Sequence, residues 1–169
     1  MTNERLHIVG GAGSGKTTLA SQIAAARQIP HVELDNLYYE NVAHRKRRAA
    51  DSRNQMLSEI VDTPRWVVEG IFWQSWVMPS FEQADQIIVL DIPASTRSLR
   101  VVKRHLRLLG GAPPAAWPTF FPTLIELLKH SHRYANGPLK ETLACVAAFD
   151  GKVVVCESNK AATQVLERL

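Results

Sequence analysis

One stretch near the start of the chain has the residue types and spacing for binding phosphate. Residues 10–17 read Gly-Gly-Ala-Gly-Ser-Gly-Lys-Thr, which matches the pattern G-x-x-x-x-G-K-[ST]. Glycines let the backbone N–H groups curl around a polyphosphate, and Lys16 adds a mobile positive charge. Thr17 offers a hydroxyl to Mg²⁺. The stretch therefore predicts a site for a nucleoside triphosphate, expected to be ATP with Mg²⁺. The residues expected to contact the nucleotide are Gly11, Ala12, Gly13, Ser14, Gly15, Lys16, Thr17 and Thr18.

The segments on either side of these residues have the patterns that such a loop needs. Residues 6–9 form a short apolar run that predicts a buried strand. Residues 18–27 are rich in alanine, with Leu19 and Ile23 four residues apart, and they predict a helix. A strand, a glycine loop and a helix in this order favour a phosphate site over a flexible Gly/Ser turn.

The rest of the chain continues this alternation of apolar strands with helices. We expect a single α/β domain over residues 1–169 with a parallel sheet covered on both faces. Ser95 is expected to cap the helix that follows the fourth strand. Strands are predicted at 29–35, 65–70, 86–91 and 152–156, and helices at 47–62, 95–109, 119–134, 139–148 and 159–168.

Composition limits the class of protein. The chain has 169 residues, 46% of them hydrophobic, and a net charge of +4. No run of about 18 apolar residues occurs, so no transmembrane helix is expected. The first residues lead directly into a strand, which favours a cytoplasmic protein. Two scattered cysteines favour reduced, packed thiols. The positive charge suits polyphosphates as well as nucleic acid, so it does not select between these partners.

Two carboxylates follow predicted strands, at the sheet edge where ligands bind in α/β folds. Asp35 is expected to close the second strand, where it could orient or deprotonate an acceptor hydroxyl. The alternative is a turn or helix-capping aspartate. Glu69 ends the third strand and is expected to help hold Mg²⁺. Its alternative is a solvated acid at a strand end.

Several other residues have two open interpretations. Arg100 and Arg104 lie four apart on one helix face and could clamp the transferred phosphoryl group or form a solvated basic face. The basic cluster 44–48 is expected to be a solvated helix start or a contact for an acceptor anion, not a DNA-binding patch. Trp73 and Trp76 could line the acceptor site, although core packing is favoured.

These motifs together resemble the adenylate-kinase-like branch of small P-loop kinases. The chain resembles more closely the bacterial family labelled DNA topology modulation protein, FlaR-related. The resemblance rests on GGAGSGKT, PHVELD ending at Asp35, WVVEG, IIVLDIP followed by Arg100 and Arg104, and VVVCES. It implies a three-layer P-loop NTPase fold with five strands in the order 2-3-1-4-5. It also implies a helical lid at about 105–140, hinged at Gly110-Gly111, and a base-binding turn at Ser158.

The chain departs from nucleoside monophosphate kinases at the end of the third strand. Those enzymes usually have Asp-Gly-x-Pro-Arg, whereas residues 69–73 here are Glu-Gly-Ile-Phe-Trp. The arginine that would hold an acceptor phosphate is absent, which argues against a monophosphate acceptor. The sequence predicts an ATP-dependent phosphotransferase acting on an unidentified small molecule or a nucleoside or nucleotide. The alternative is a nucleotide-gated regulatory ATPase acting on DNA topology or a protein partner, although no motif supports a nucleic-acid partner.

Overall fold

The computed structural model describes residues 4–41, 46–110 and 117–168, in which strands and helices alternate. The strands are β1 (Glu4–Gly10), β2 (His31–Glu33), β3 (Tyr39–Asn41), β4 (Lys46–Arg47), β5 (Arg65–Gly70), β6 (Gln86–Leu90) and β7 (Val153–Cys156). The α-helices are α1 (Lys16–Arg27), α2 (Leu34–Tyr38), α3 (Ala50–Val61), α4 (Met78–Gln83), α5 (Ala94–Gly110), α6 (Trp117–Asn136), α7 (Pro138–Val146) and α8 (Asn159–Arg168). Short 3₁₀ helices precede α4 and β7, at Ser75–Val77 and Ala147–Lys152.

A five-stranded parallel sheet forms the centre of the described structure. Its order is β2-β5-β1-β6-β7, which is 2-3-1-4-5 when only the strands of this sheet are counted. The expected α/β fold and strand order are therefore confirmed. Because β1 lies between β5 and β6, the loop after β1 emerges at the point where the direction of strand succession reverses.

Alternating residues of the central strands pack against helices on opposite faces of the sheet. On one face, Ile8 of β1 and Ile88 of β6 join a cluster that includes Leu19 and Ile23 of α1. On the other face, Val89 of β6 belongs to a cluster with residues of α3, α4 and α7. This two-residue alternation between two apolar layers produces the three-layer arrangement.

A histidine occupies the second of these layers. His7 of β1 is fully buried, and its ring stacks on Phe81 with centroids 4.1 Å apart. The Ser80 hydroxyl donates to the Val77 carbonyl oxygen at 2.7 Å, so Nδ1–H of His7 is the donor to Ser80 Oγ at 2.9 Å. Burial lowers the pKa of His7 from 6.5 to about 3, so the ring stays neutral in the core.

The second strand is shorter than the prediction at 29–35. It ends at Glu33, and Asp35 lies in the first turn of α2 instead of at a strand end. Leu34 and Leu37 are both buried, and a helical turn brings residues three apart to the same side. The segment between the predicted strand at 29–35 and the predicted helix at 47–62 also contains a hairpin that the sequence did not predict, because β3 pairs antiparallel with β4. The predicted helix at 47–62 begins only at Ala50.

The later helices differ from the predictions mainly at their ends. The fourth-strand helix begins at Ala94, and the Arg97 N–H donates to the Pro93 carbonyl oxygen, so Ser95 lies inside the first turn and is not the cap. Helix α6 begins at Trp117, two residues before the helix predicted at 119–134. Residues 111–116, which include Gly111 of the expected Gly110-Gly111 hinge, lie outside the described residues. In the described parts of the chain, no helix combines the length and apolarity needed to span a bilayer.

The burial of His7 predicts a pH dependence of stability. Between pH 6.5 and about 3 the unfolded chain binds a proton that the folded chain excludes, so the free energy of unfolding should fall as pH falls through this window. The contribution is at most ~1.4 kcal/mol per pH unit. His7→Phe keeps a ring against Phe81 and removes the titrating group. Urea unfolding at several pH values should therefore show a shallower acid dependence in the variant, and equal slopes would contradict this assignment.

Candidate functional site

The loop between β1 and α1 has the backbone geometry of an anion-binding turn. Gly13 and Gly15 have φ angles of 79° and 98°, a left-handed conformation that favours glycine. The Ser14 N–H donates to the Gly11 carbonyl oxygen at 3.1 Å and closes the turn. Helix α1 begins at Lys16 and has no acidic residue of its own in the first turn, so its sequence does not oppose an anion at the positive end of the helix dipole. The N-terminus of α1 and the loop amides can hold phosphate groups.

Helix α5 packs directly on this loop. A Cβ on Gly13 would lie 2.5 Å from the Arg97 carbonyl oxygen, and a Cβ on Gly11 would overlap the Arg97 guanidinium and the Tyr134 ring. Glycine is needed at both positions because backbone and ring atoms occupy the space of a side chain. The loop is therefore held by close packing as well as by its own turn.

Arg97 is the buried cation in this packing, a role that the sequence did not predict. Its side chain is 1% exposed, and Nε donates to the Ile92 carbonyl oxygen at 2.9 Å. The guanidinium lies 5.2 Å from the ring centroid of Tyr134 in α6, within the range of a cation–π contact. Burial raises the pKa of Tyr134 to about 12, so its ring is neutral. The sequence offered one indication of this position: Arg97 lies three residues before Arg100, so both arginines share one helix face.

Glu69 contacts the two loop residues that are predicted to bind phosphate and Mg²⁺, which are Lys16 and Thr17. Its carboxylate is 2% exposed, and Oε1 accepts a hydrogen bond from Thr17 Oγ1 at 2.7 Å. Lys16 Nζ lies 3.5 Å from Oε2. The carboxylate therefore positions both side chains, and it is not the solvated strand-end acid of the alternative interpretation. Glu69 and Thr17 supply adjacent hard oxygen atoms, which fit Mg²⁺ when substrate phosphates complete its coordination.

His31 lies beside this carboxylate and was not predicted as a site residue. It begins β2, which runs next to β5, and its Nε2 is 3.9 Å from Glu69 Oε1. Its Nδ1 lies 3.4 Å from the Ser21 hydroxyl on α1. The sequence offered one indication of this contact. In the implied strand order the second strand, which contains His31, lies beside the third strand, which ends near Glu69.

Arg100 and Arg104 lie on the side of α5 that faces the loop. Arg100 Nη1 donates to the carbonyl oxygens of Gly13 at 3.2 Å and Ser14 at 3.0 Å. Arg104 is exposed and lines a cleft of about 250 Å³ together with Arg100, Lys16, Thr17 and Thr18. With Arg107, four cationic side chains thus line one cleft beside the loop, an arrangement that suits a polyphosphate.

The predicted base-binding residue Ser158 caps a helix. Its Oγ accepts a hydrogen bond from the Ala161 N–H at 3.2 Å, at the start of α8. A second cleft, of about 320 Å³, lies between α1 and α8 and is lined by Thr18, Arg100, Ala162 and Thr163. The α8 residues at this cleft are thus one turn beyond Ser158, whose contact with a base stays a prediction.

A third cavity, of about 630 Å³, is larger than these two clefts and also borders the loop. Ala12 and Lys16 of the loop line it together with the half-buried Asp35 of α2. A single space therefore adjoins both the predicted phosphate-binding lysine and the predicted acceptor carboxylate. Aromatic side chains make up much of the remaining wall, namely Tyr38, Tyr39, Phe72, Trp73 and Tyr134.

The two candidate tryptophans have different positions. Trp73 is half-buried and lines the cavity, so the favoured interpretation of core packing is wrong for this residue. Trp76 is 8% exposed and belongs to the core cluster, as expected.

The described part of the basic cluster has a structural role. Arg48 Nε donates to the Leu37 carbonyl oxygen at 3.0 Å and one Nη donates to that of Tyr39 at 3.3 Å, which fixes the chain between α2 and β3. Arg47 lies over the Tyr38 ring, 5.7 Å from its centroid. These contacts replace the expected solvated helix start, while residues 44 and 45 lie outside the described residues.

Comparisons with known proteins agree with this fold. A shikimate kinase from Acinetobacter baumannii, solved with shikimate, has a TM-score of 0.52 and 13% identity, covering 98% of this chain and 92% of that one. A shikimate kinase from Bacteroides thetaiotaomicron has a TM-score of 0.54 and 16% identity, covering 98% and 95%.

The sequence comparisons are less specific. The uncharacterized protein YqaC of Bacillus subtilis is 24% identical over 109 residues, which cover 63% of this chain and 60% of that protein. The match thus spans about three fifths of the length of this curated relative. No family model matches the chain. The comparisons show a P-loop kinase-like fold, and they do not show the narrower resemblance to the DNA topology modulation family.

Close packing at Gly13 yields a stability prediction. Gly13→Ala should lower the free energy of unfolding by about 1–3 kcal/mol, because the new methyl group meets the Arg97 carbonyl oxygen and the φ angle is positive. Gly151→Ala is the matched control, since a Cβ there meets nothing within 4 Å, and its change should be within about 0.5 kcal/mol. Chemical denaturation of both variants makes the comparison. Equal stability of the two would show that the loop does not pack on α5 in this way.

Proposed function

We propose that the chain is an ATP-dependent phosphotransferase that moves the γ-phosphoryl group of Mg·ATP to a hydroxyl of a small molecule. The observation that carries this proposal is the cavity shared by Lys16 of the phosphate loop and Asp35 of α2. Phosphoryl transfer needs donor and acceptor side by side in a space from which water can be excluded. A regulatory ATPase needs no such second compartment beside its phosphate site.

The donor half of the reaction is assigned to the loop and its neighbours. Lys16 and the loop amides would hold the β- and γ-phosphates, and Arg100 and Arg104 would offset the charge of the transferred group. Thr17 and Glu69 would hold Mg²⁺, which when bound neutralises phosphate charge. Glu69 already positions both Lys16 and Thr17, so these groups need little reorganisation.

The acceptor half is assigned to Asp35. Its carboxylate would orient the acceptor hydroxyl and take its proton as the oxygen bonds to the γ-phosphorus. The bond between that phosphorus and the β–γ bridging oxygen breaks, and ADP leaves with the bridging oxygen. The name of the two structural neighbours, shikimate kinase, supports this reaction class without identifying the acceptor.

The region at about 105–140 is proposed to act as a lid over this cavity. Within it, α6 contributes Leu127, Arg133 and Tyr134 to the cavity wall. Closure of this helix on bound substrates would exclude water and limit hydrolysis of ATP.

Replacement of Asp35 tests the acceptor assignment. Asp35→Asn should lower phosphoryl transfer by ~10²–10⁴-fold, because the amide is similar in size but has neither the charge nor the basicity of the carboxylate. The affinity for Mg·ATP should change little, since other residues hold the nucleotide.

The assay is transfer of label from γ-labelled ATP to a panel of nucleosides, polyols and hydroxy acids, with ATP affinity measured in parallel. Asp51→Asn is the matched control, because Asp51 is an exposed acid in the first turn of α3 and lies outside the cavity. Full turnover in Asp35→Asn would remove Asp35 from the reaction, and a failure of wild type to label any acceptor while it binds ATP would refute the transferase assignment.

A further inference from the structure

We propose that the acceptor carries its hydroxyl on a planar aromatic or heteroaromatic body, as nucleosides and aromatic alcohols do. This inference rests on the proposed function and narrows its substrate class. The chain has three tyrosines, and all of them, Tyr38, Tyr39 and Tyr134, line the cavity that adjoins Asp35. Phe72 and Trp73 belong to the same wall. Aromatic side chains offer large flat surfaces on which a planar ring stacks.

Part of this wall is held rigid by ring contacts. Tyr38 stacks on Phe72 with centroids 4.8 Å apart, and Phe72 meets Trp76 edge-on at 5.1 Å. The Arg53 guanidinium lies 4.6 Å from the Trp76 centroid and 5.4 Å from that of Tyr38. A wall fixed in this way loses little side-chain freedom when a ligand binds, which favours affinity.

Trp73 is the aromatic residue with a ring available to a ligand. It lines the cavity and is half-buried, and none of the aromatic side chains that the structure describes packs against its indole. Its carbonyl oxygen lies 3.6 Å from Cys145 Sγ of α7, a weak hydrogen bond that ties its backbone to that helix. An indole on an anchored backbone, facing a ligand-sized space, is suited to stack on a flat substrate.

The polar groups of the cavity suit a substrate with few hydroxyls. Lys16 and Asp35 are assigned to the transferred phosphoryl group and the reacting hydroxyl. The other charged and amide side chains at the cavity, Gln74 and Arg133, are both exposed. Among the remaining lining side chains only the tyrosine hydroxyls add partners, so a polyol with hydroxyls on several carbons would leave some of them against ring faces, which is unfavourable. A heterocycle needs hydrogen bonds only at its edge, where Gln74 and Arg133 can supply them.

The acceptor panel for γ-labelled ATP therefore has three arms: nucleosides, aromatic alcohols such as 4-hydroxybenzyl alcohol, and non-aromatic hexitols and hydroxy acids. We expect label in one of the first two arms, and the arm that is labelled identifies the source of the ring. Label confined to the third arm would overturn this inference while upholding phosphotransfer. No label in any arm from an ATP-binding enzyme would refute the proposed function, and this inference with it.

Variants of Trp73 test the stacking directly. Trp73→Leu should lower kcat/KM for the aromatic acceptor by about 5- to 150-fold, the range that stacking on one aromatic side chain contributes. Trp73→Phe keeps a ring and should restore most of this loss. Thermal stabilisation by Mg·ATP alone should be the same in both variants as in wild type, which excludes a general folding defect. Wild-type turnover of the aromatic acceptor by Trp73→Leu would overturn the assignment.

Discussion

Close packing between the phosphate loop and α5 is the constraint on which the site depends. Gly13 lies so near the Arg97 carbonyl oxygen that no side chain fits between them, and Arg100 bonds to two carbonyl oxygens of the loop. Arg97 extends the same packing to Tyr134 of α6. The loop, α5 and α6 are thus in continuous contact. A nucleotide bound on the loop would therefore lie next to the cavity that is proposed for the acceptor.

Position in the sheet explains why the chemistry gathers around this loop. Because β1 is central, its neighbour β5 and the next strand out, β2, place Glu69 and His31 near the loop. Asp35 follows in the helix after β2. A buried carboxylate contacts Thr17 and Lys16 on the side proposed for the phosphates, and the aromatic cavity lies on the side proposed for the acceptor. Both compartments lie beside the loop at which the strand order reverses. This is the general location of ligand sites in such folds.

The sequence predicted the features that have strong local signals. The glycine spacing predicted the loop, and continuous apolar runs predicted β1, β5 and β6, since strands buried on both faces lose the alternating pattern. The short hairpin β3–β4 and the helix around Asp35 have no such signal, because they depend on the burial of Leu34 and Leu37 and on Arg48. The burial of Arg97 was missed, because arginine in a helix normally faces solvent and its spacing from Arg100 indicates only a shared helix face. The position of Trp73 at a cavity was the less favoured of two interpretations, because tryptophan normally packs in a core.

The most direct test of this account is the fate of the γ-phosphoryl group of labelled ATP in wild type and Lys16→Ala. Lys16 contacts a carboxylate at the site and supports no core residue, so the variant should melt at nearly the wild-type temperature without ligand. We expect wild type to place label on a small-molecule acceptor and Lys16→Ala to place almost none there. Release of the label only as inorganic phosphate, whatever acceptor is present, or equal transfer by the variant, would contradict the account.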